Sequence, residues 1–173
     1  MKASNGARLR ASAIRRIMTA FAVLMAAVLL PALARAQQVR INRLNNIAFG
    51  TLAANGTSDA VLTDNLCAYT SALSLGYRVT ARGSGSSSAF SLSNGGNTLA
   101  YVAQWASTPN ATTGVQLTPN VAISATTSST LNSQCLLGSG ANATLIVRLP
   151  AANVAGVTAG TYSGSISITI APN

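Results

Sequence analysis

The stretch Gly160-Thr-Tyr-Ser-Gly-Ser-Ile-Ser-Ile-Thr-Ile170 decides the fold class of this chain. Its large apolar residues share one parity: Tyr162, Ile166, Ile168 and Ile170. Mostly Ser and Thr occupy the other parity, which is typical of a β-strand with one buried and one solvated face. Alone, such a strand would expose an apolar face and an unpaired edge. We therefore expect it to lie in a sheet, and the function to depend on what covers its edge.

The same alternation recurs at residues 73–80, 99–105 and 143–149, and also at residues 39–49, where Arg43 interrupts it and predicts two short strands or one bulged strand. Clusters of Gly, Ser and Asn separate these stretches. We interpret Gly83-Ser-Gly-Ser-Ser-Ser88 as a long, mobile hairpin loop and residues 151–160 as a small-residue loop. Beyond the N-terminal region no window has a sustained helical period. Roughly seven to nine short strands with regular turn signals predict an all-β sandwich.

The N-terminus has the features of a secretory signal. An apolar run from Ile17 to Leu30 follows a basic region, and Ala34-Arg35-Ala36 provides small residues for cleavage before Gln37. We predict a signal peptide at residues 1–36. The alternative is a membrane anchor, for which this run of 14 residues is short. We expect no stable membrane span in the mature chain. The Arg15-Arg16 pair leaves a twin-arginine export route open beside the general one.

Removal of the signal changes the charge argument. The whole chain has a net charge of +9, but residues 37–173 keep five arginines against Asp59 and Asp64, a net charge of +3. Arg40/Arg43 and Arg78/Arg82 come nearest to clustering, and such pairs usually mark a solvated face. We expect no binding to nucleic acid.

The expected mature chain is poor in catalytic side chains. Residues 37–173 contain no His, Lys or Glu and only the two aspartates, which lie in a segment rich in turn-forming residues. General acid–base catalysis, nucleophilic catalysis and metal binding all need groups that this composition lacks. We therefore expect a protein that is not an enzyme and has no cofactor and no metal site.

The two cysteines, Cys67 and Cys135, both lie in the expected mature chain. An even count in an oxidising compartment predicts one disulfide, and Cys135 is expected at a strand. Two free thiols are the alternative. Three Asn-x-Thr sequences begin at Asn55, Asn110 and Asn142; they would be glycosylated in a eukaryotic secretory pathway and would be polar turns in a bacterial protein.

Two long stretches resemble the spore coat protein U domain. One runs from Cys67 through Tyr77-Arg-Val-Thr-Ala-Arg-Gly-Ser-Gly85 to Leu99-Ala-Tyr-Val-Ala-Gln-Trp105. The other runs from Cys135 through Ala143-Thr-Leu-Ile-Val147 to the closing strand. The resemblance covers residues 47–172. It implies a subunit of an archaic chaperone–usher pilus, exported through the periplasm to the cell surface, that supports adhesion and biofilm formation.

The resemblance also implies a mechanism of assembly. Such subunits are immunoglobulin-like (pilin-type, incomplete) β-sandwiches that lack a final strand. A periplasmic chaperone lends a strand, and at the outer-membrane usher the N-terminal extension of a neighbouring pilin replaces it. Carried onto this chain, the acceptor groove is bordered by a set of terminal residues: Tyr162, Ile166, Ile168 and Ile170. The donor side chains are Val39 and Ile41 in an extension at residues 37–46, before a domain at residues 47–173.

Two departures from the family pattern matter. Ile47-Ala-Phe-Gly50 has no neighbouring cysteine, which reduces the expected number of disulfides. The extension is short and contains Arg40 and Arg43, so it favours a minor subunit over the main shaft pilin.

The alternative function is a stand-alone secreted binding module, for example one that binds carbohydrate. Its ligand platform would use Trp105, Tyr101 or Tyr69, and exposed aromatic rings would favour it. Buried rings would instead favour the pilin reading, since a Trp beside a Tyr on a strand face usually belongs to a core.

Overall fold

Short antiparallel strands dominate the computed structural model, which describes residues 38–53, 57–71, 76–126, 135 and 140–173. The strands are β1 Val39–Asn42, β2 Thr51–Leu52, β3 Ala60–Thr70, β4 Gly76–Gly83, β5 Ser91–Asn94, β6 Asn97–Ala100, β7 Val102–Ala106, β8 Val115–Gln116, β9 Ile123–Thr126, β10 Ala143–Leu149, β11 Gly160–Thr161 and β12 Ile166–Pro172. The one α-helix of the described residues, α1, is Ala151–Val154. Contacts divide the chain after Ala36, and Gln37–Asn173 is one compact unit. The predicted signal peptide lies outside the described residues.

Two sheets form the body of this unit. A five-stranded sheet has the order β1-β3-β10-β7-β8, and a three-stranded sheet has the order β12-β4-β9. Two small pairs, β11-β2 and β5-β6, complete the arrangement. All pairings are antiparallel, and the inward side chains of both sheets form one core. This is an immunoglobulin-like β-sandwich, so the predicted all-β fold class is confirmed.

Alternating parity explains most of the core. Ala143, Leu145, Val147 and Leu149 of β10 are all buried, as the sequence pattern predicts. The stretch expected as one strand at residues 99–105 divides at Tyr101 into β6 and β7, but its four inward side chains are still buried. In β4, residues 77, 79 and 81 alternate into the core, while the expected residues 73–75 lie outside the described part.

The expected hairpin loop at residues 83–88 is wrong. β4 and β5 belong to different sheets, and the chain between them makes a 3-10 turn at Ser86–Ser88. The amide of Gly85 donates to the carbonyl oxygen of Ala89 at 3.1 Å. A Cβ atom on Gly83 would overlap that carbonyl, so only glycine allows this close approach. The segment is a packed crossover between sheets.

Two further expectations are corrected near the C-terminus. Residues 151–154 form α1 and not a loop, because the Asp59 carboxylate accepts a hydrogen bond from the Ala151 amide at 3.0 Å and holds the first turn. The expected terminal strand is also interrupted. β11 pairs with β2 and β12 pairs with β4, and residues 162–165 between them cross β5 through a bridge from Ser163 to Ser93.

The disulfide between Cys67 and Cys135 is confirmed. Cys67 lies in β3 and is fully buried, whereas Cys135 has a backbone φ of 48° and is not in the expected strand. The bridge therefore fastens Cys135 to the end of β3 that pairs with β1.

Candidate functional site

β12 forms one edge of the three-stranded sheet. In the described part of the chain it pairs with β4 alone, with Ile168 opposite Ala81 and Ile170 opposite Val79. Ala81 and Val79 are fully buried, yet Ile166, Ile168 and Ile170 are only partly buried although they face the same core. This inward row lies at a sheet edge with no further described strand beside it, so its side chains are incompletely covered and its backbone is open to pairing with another strand. We call β12 with these three isoleucines the open edge.

The resemblance implied a fourth acceptor residue, and the structure separates it from the other three. Tyr162 precedes β12, is buried to 8% exposure, and its hydroxyl donates to the carbonyl oxygen of Thr158 at 2.9 Å. It packs in the core beside β11 and does not lie on the open edge strand. The acceptor role stays a prediction for all four residues, of which Tyr162 packs in the core and the three isoleucines lie on the edge strand.

β1 forms the edge of the facing sheet on the same side of the sandwich, and it contacts β12 across the interior. Ile41 lies opposite Ala68 of β3 and packs against the core, while Val39 lies opposite Thr70. The side chains predicted to be donated to a neighbour are thus paired within this chain. Their role as donors stays a prediction, and it requires β1 to leave β3.

Several bonds hold β1 in place. At its start the Gln38 amide donates to the Ser71 hydroxyl at 2.7 Å, and the Ser71 amide donates to the Gln38 carbonyl oxygen at 2.9 Å. At its end the Asn42 side-chain amide donates to the carbonyl oxygen of Cys135 at 3.1 Å, beside the disulfide. These contacts make β1 an anchored strand of its own sheet.

The outward face of the three-stranded sheet is polar and basic. On β4, Arg78 and Arg82 are both exposed, opposite Ala171 and Ser167 of β12 respectively. Thr169 lies between these two positions on β12 and is exposed as well. This face therefore presents two cations beside short side chains.

Neither aspartate neutralises that face. Asp59 lies 3.7 Å from the Arg148 guanidinium, on the other sheet, and also caps α1. Asp64 was expected in a turn, and this is wrong: it lies within β3 and is 6% exposed. Its carboxylate accepts hydrogen bonds from the amide and the side chain of Asn45, both at 2.8 Å. Burial of the carboxylate is compensated by these donors.

Asn142 is the site residue that sequence reasoning missed. Its side-chain oxygen accepts from the Ala68 amide and its side-chain nitrogen donates to the Ala68 carbonyl, both at 2.8 Å. It is 5% exposed, so the polar turn expected at this Asn-x-Thr sequence is wrong. In the sequence, the only indication of this role is that Asn142 stands directly before the alternating stretch at residues 143–149. Asn142 extends the β3–β10 ladder toward β1.

The three aromatic residues considered as a ligand platform do not form a fully exposed surface. Trp105 and Tyr101 are 1% and 6% exposed, and Tyr69 is half-buried. The Trp105 indole N–H donates to the Tyr77 hydroxyl at 3.2 Å, with the rings edge to face at 6.2 Å. Burial raises the pKa of Tyr77, against smaller lowering effects of hydrogen bonds with Trp105 and Ser107, and burial raises the pKa of Tyr101. Trp105 and Tyr101 serve the core, not a ligand surface.

Among the described residues no group of three or more His, Cys, Asp or Glu side chains could hold a metal ion. Over the same part of the chain, no helix has the length and apolarity needed to cross a membrane.

Comparison with known proteins gives a likeness of fold. No protein-family description and no curated protein matches the sequence, so the resemblance to the spore coat protein U domain stays a prediction. The chain is similar to a chain in the solved structure of a chaperone–tip adhesin complex described as vital for activating the biogenesis of CFA/I fimbriae. The TM-score is 0.53 at 17% identity over 79% of this chain, which spans only 42% of that neighbour's length.

Proposed function

We propose that this chain is a structural subunit, and a minor one, of a secreted chaperone–usher pilus that supports adhesion and biofilm formation. It acts by accepting a strand at the open edge, first from a periplasmic chaperone and then, at the outer-membrane usher, from a neighbouring pilin. It has no catalytic role. The observation that carries the proposal is the partial exposure of Ile166, Ile168 and Ile170 beside the buried inward residues of β4.

Strand addition would satisfy both the backbone and the inward side chains of the open edge. The backbone of an added strand would pair with β12, and its alternate side chains would cover the isoleucines. Full burial of an apolar side chain of this size is worth about 1.5–3 kcal/mol relative to full exposure, and three partly exposed isoleucines offer a fraction of that each. The likeness of fold to a chain from a chaperone–adhesin complex supports the same reading.

The position of β1 supports a minor subunit. A shaft pilin must both accept a strand and donate one. Here Val39 and Ile41 are paired with β3, and Asn42 is bonded beside the disulfide, so donation would require these contacts to break. A chain that accepts readily and donates with difficulty fits a place at or near the end of a fibre.

The test is a pair of adjacent substitutions on β12. Ile168→Asp places a charge on the inward row, whereas Thr169→Asp places the same charge on the exposed outward row. Both variants are expressed for export together with a periplasmic pilus chaperone that captures the unchanged chain, and the periplasmic level and co-purification with the chaperone are measured. We expect Ile168→Asp to be lost to degradation or aggregation and Thr169→Asp to be captured. An exported, folded, monomeric Ile168→Asp protein would contradict the proposal.

A further inference from the structure

The face beside the open edge carries positive charge that the described part of the chain does not neutralise. Arg78 and Arg82 lie on the outward side of β4, four residues and therefore about 13 Å apart along the strand. No ion pair or hydrogen bond joins either guanidinium to another described residue. Asp59 and Asp64 are engaged elsewhere, by Arg148 and by Asn45.

The register brings both arginines within reach of an added strand. Arg82 lies opposite Ser167 and Arg78 lies opposite Ala171, so only a short side chain separates each arginine from the free side of β12. Neighbouring strands are about 4.8 Å apart, which places an added strand about 10 Å from β4. An arginine and a carboxylate side chain can close this distance from both sides across a serine or an alanine.

The chain's own N-terminal segment carries a charge of the same sign as Arg78 and Arg82. Val39 and Ile41 supply the apolar alternation that the open edge needs, but Arg40 alternates with them and is exposed in β1. On an added strand with Val39 and Ile41 facing inward, Arg40 would join Arg78 and Arg82 on the outward face. These like charges would lie two strands apart, a distance of about one Debye length at physiological ionic strength, so their repulsion would weaken the binding of such a strand.

Building on the proposed function, we infer that the strand accepted by this chain carries carboxylates on its outward face, alternating with apolar residues on its inward face. It therefore comes from a different protein and not from a second copy of this chain. The two arginines select the partner by charge, while the isoleucines bind its apolar side chains. The like charge of Arg40 acts against self-assembly.

The test compares three peptides that share the apolar residues of residues 37–46. One has the natural sequence, one has Arg40→Gln, and one has Arg40→Glu with Asn42→Glu. Binding of each labelled peptide to the oxidised chain is measured by fluorescence anisotropy and by the shift in melting temperature. We expect the acidic peptide to bind about three- to tenfold more tightly than the natural one at low salt, as exposed cross-strand charge pairs allow. The difference should shrink toward 1 M salt, where the screening length is about 3 Å.

Two matched protein variants locate the effect. Arg82→Gln removes a positive charge beside the open edge, and Arg148→Gln removes one from the other sheet. We expect Arg82→Gln to reduce the preference for the acidic peptide by about half and Arg148→Gln to leave it unchanged, because exposed charges act over roughly a Debye length. Equal reduction by both variants would overturn the inference.

The remaining outcomes separate the inference from the proposed function. If all three peptides bind with equal affinity and raise the melting temperature, the charge selection is wrong and strand acceptance stands. If no peptide binds and none changes the melting temperature, strand acceptance at the open edge is wrong, and the inference fails with it.

Discussion

Replacing Asn142 with alanine should destabilise the fold strongly, because its side chain takes the place of a missing step in a β-ladder. β10 begins at Ala143, opposite Leu66, so its backbone does not reach Ala68. Instead, the side-chain oxygen of Asn142 accepts from the Ala68 N–H, and its side-chain nitrogen donates to the Ala68 carbonyl oxygen, each at 2.8 Å. Ala68 is fully buried and Asn142 is 5% exposed. Water therefore has little access to replace the lost partners.

The magnitude follows from the two backbone groups that alanine would leave unsatisfied. A buried polar group without a partner costs about 1–3 kcal/mol, so the variant should lose about 2–6 kcal/mol. Domains of this size have a total stability of about 5–15 kcal/mol, so the loss is a large share. Asn142→Asp keeps an acceptor for the Ala68 amide but sets a carboxylate oxygen against the Ala68 carbonyl. We expect it to be at least as damaging.

The assay is equilibrium unfolding of the oxidised protein in urea, followed by circular dichroism. Asn153→Ala is the matched control, because Asn153 is exposed and its side chain makes a single bond, to the Ala100 carbonyl at 2.9 Å. That variant should lose less than about 1 kcal/mol, since water can replace the exposed bond. If Asn142→Ala loses no more than Asn153→Ala, the side chain does not act as a ladder step.

Two further perturbations test the fold. Replacing Cys67 and Cys135 together with alanine should lower the free energy of unfolding by about 4 kcal/mol, because the bridge spans 68 residues and restricts the unfolded chain. Urea unfolding measures this loss, and a loss below about 1 kcal/mol would contradict the reasoning. Stability should hold up to about pH 10 and fall above it. Burial raises the pKa of Tyr77 and Tyr101 above 10.0, so the unfolded chain releases these phenolic protons first. Tyrosinate absorbance, recorded together with circular dichroism, should show that ionisation and unfolding occur over the same pH range. Tyr101→Phe should make the loss of stability above pH 10 smaller. Ionisation of these tyrosines in a chain that stays folded would refute the prediction.

The sequence was sufficient to predict most of the core, because alternating strands need only their own residues to show which side is buried. The inward parity of residues 99–105 survives even where the strand divides, whereas in β10 Thr144 and Ile146 of the other parity are fully buried as well. Parity fails where the chain must cross other strands. At Gly164 a Cβ atom would lie 2.8 Å from the Ser91 carbonyl oxygen, a close approach between residues 73 positions apart that no local pattern reveals.

Buried polar residues were beyond prediction for a related reason. Asp64 depends on Asn45, and Asn142 depends on Ala68, which lie 19 and 74 residues away. α1 has four residues, too few for a helical period, and it depends on Asp59. In each case the partner that makes the conformation favourable is distant in sequence. Composition alone therefore assigned Asp64 and Asn142 to turns.

The candidate site, too, could be predicted from the sequence only in part. Parity identified Ile166, Ile168 and Ile170 as one inward row, but only the strand order shows that β12 has β4 as its sole described neighbour. Likewise, the alternation of Val39 and Ile41 fits a strand in its own sheet as well as one donated to a neighbour. The pairing with β3 distinguishes the two in the isolated chain.

The disulfide explains why the two edge strands on this side of the sandwich differ. Cys67 lies directly opposite Asn42 in the β1–β3 ladder, and the disulfide holds Cys135 beside it, where the Cys135 carbonyl oxygen accepts a hydrogen bond from the Asn42 side chain and so helps to secure β1. Among the described residues, the backbone of β12 bonds to β4 alone, and just after the strand the Asn173 amide donates to the Gly76 carbonyl oxygen at 3.4 Å. A strand that arrives between the two edges meets a fixed β1 and a β12 with unpaired backbone groups. Addition to β12 would break no pairing among the described residues, whereas replacement of β1 would break several, so we expect β12 and not β1 to accept the strand that the proposed function requires.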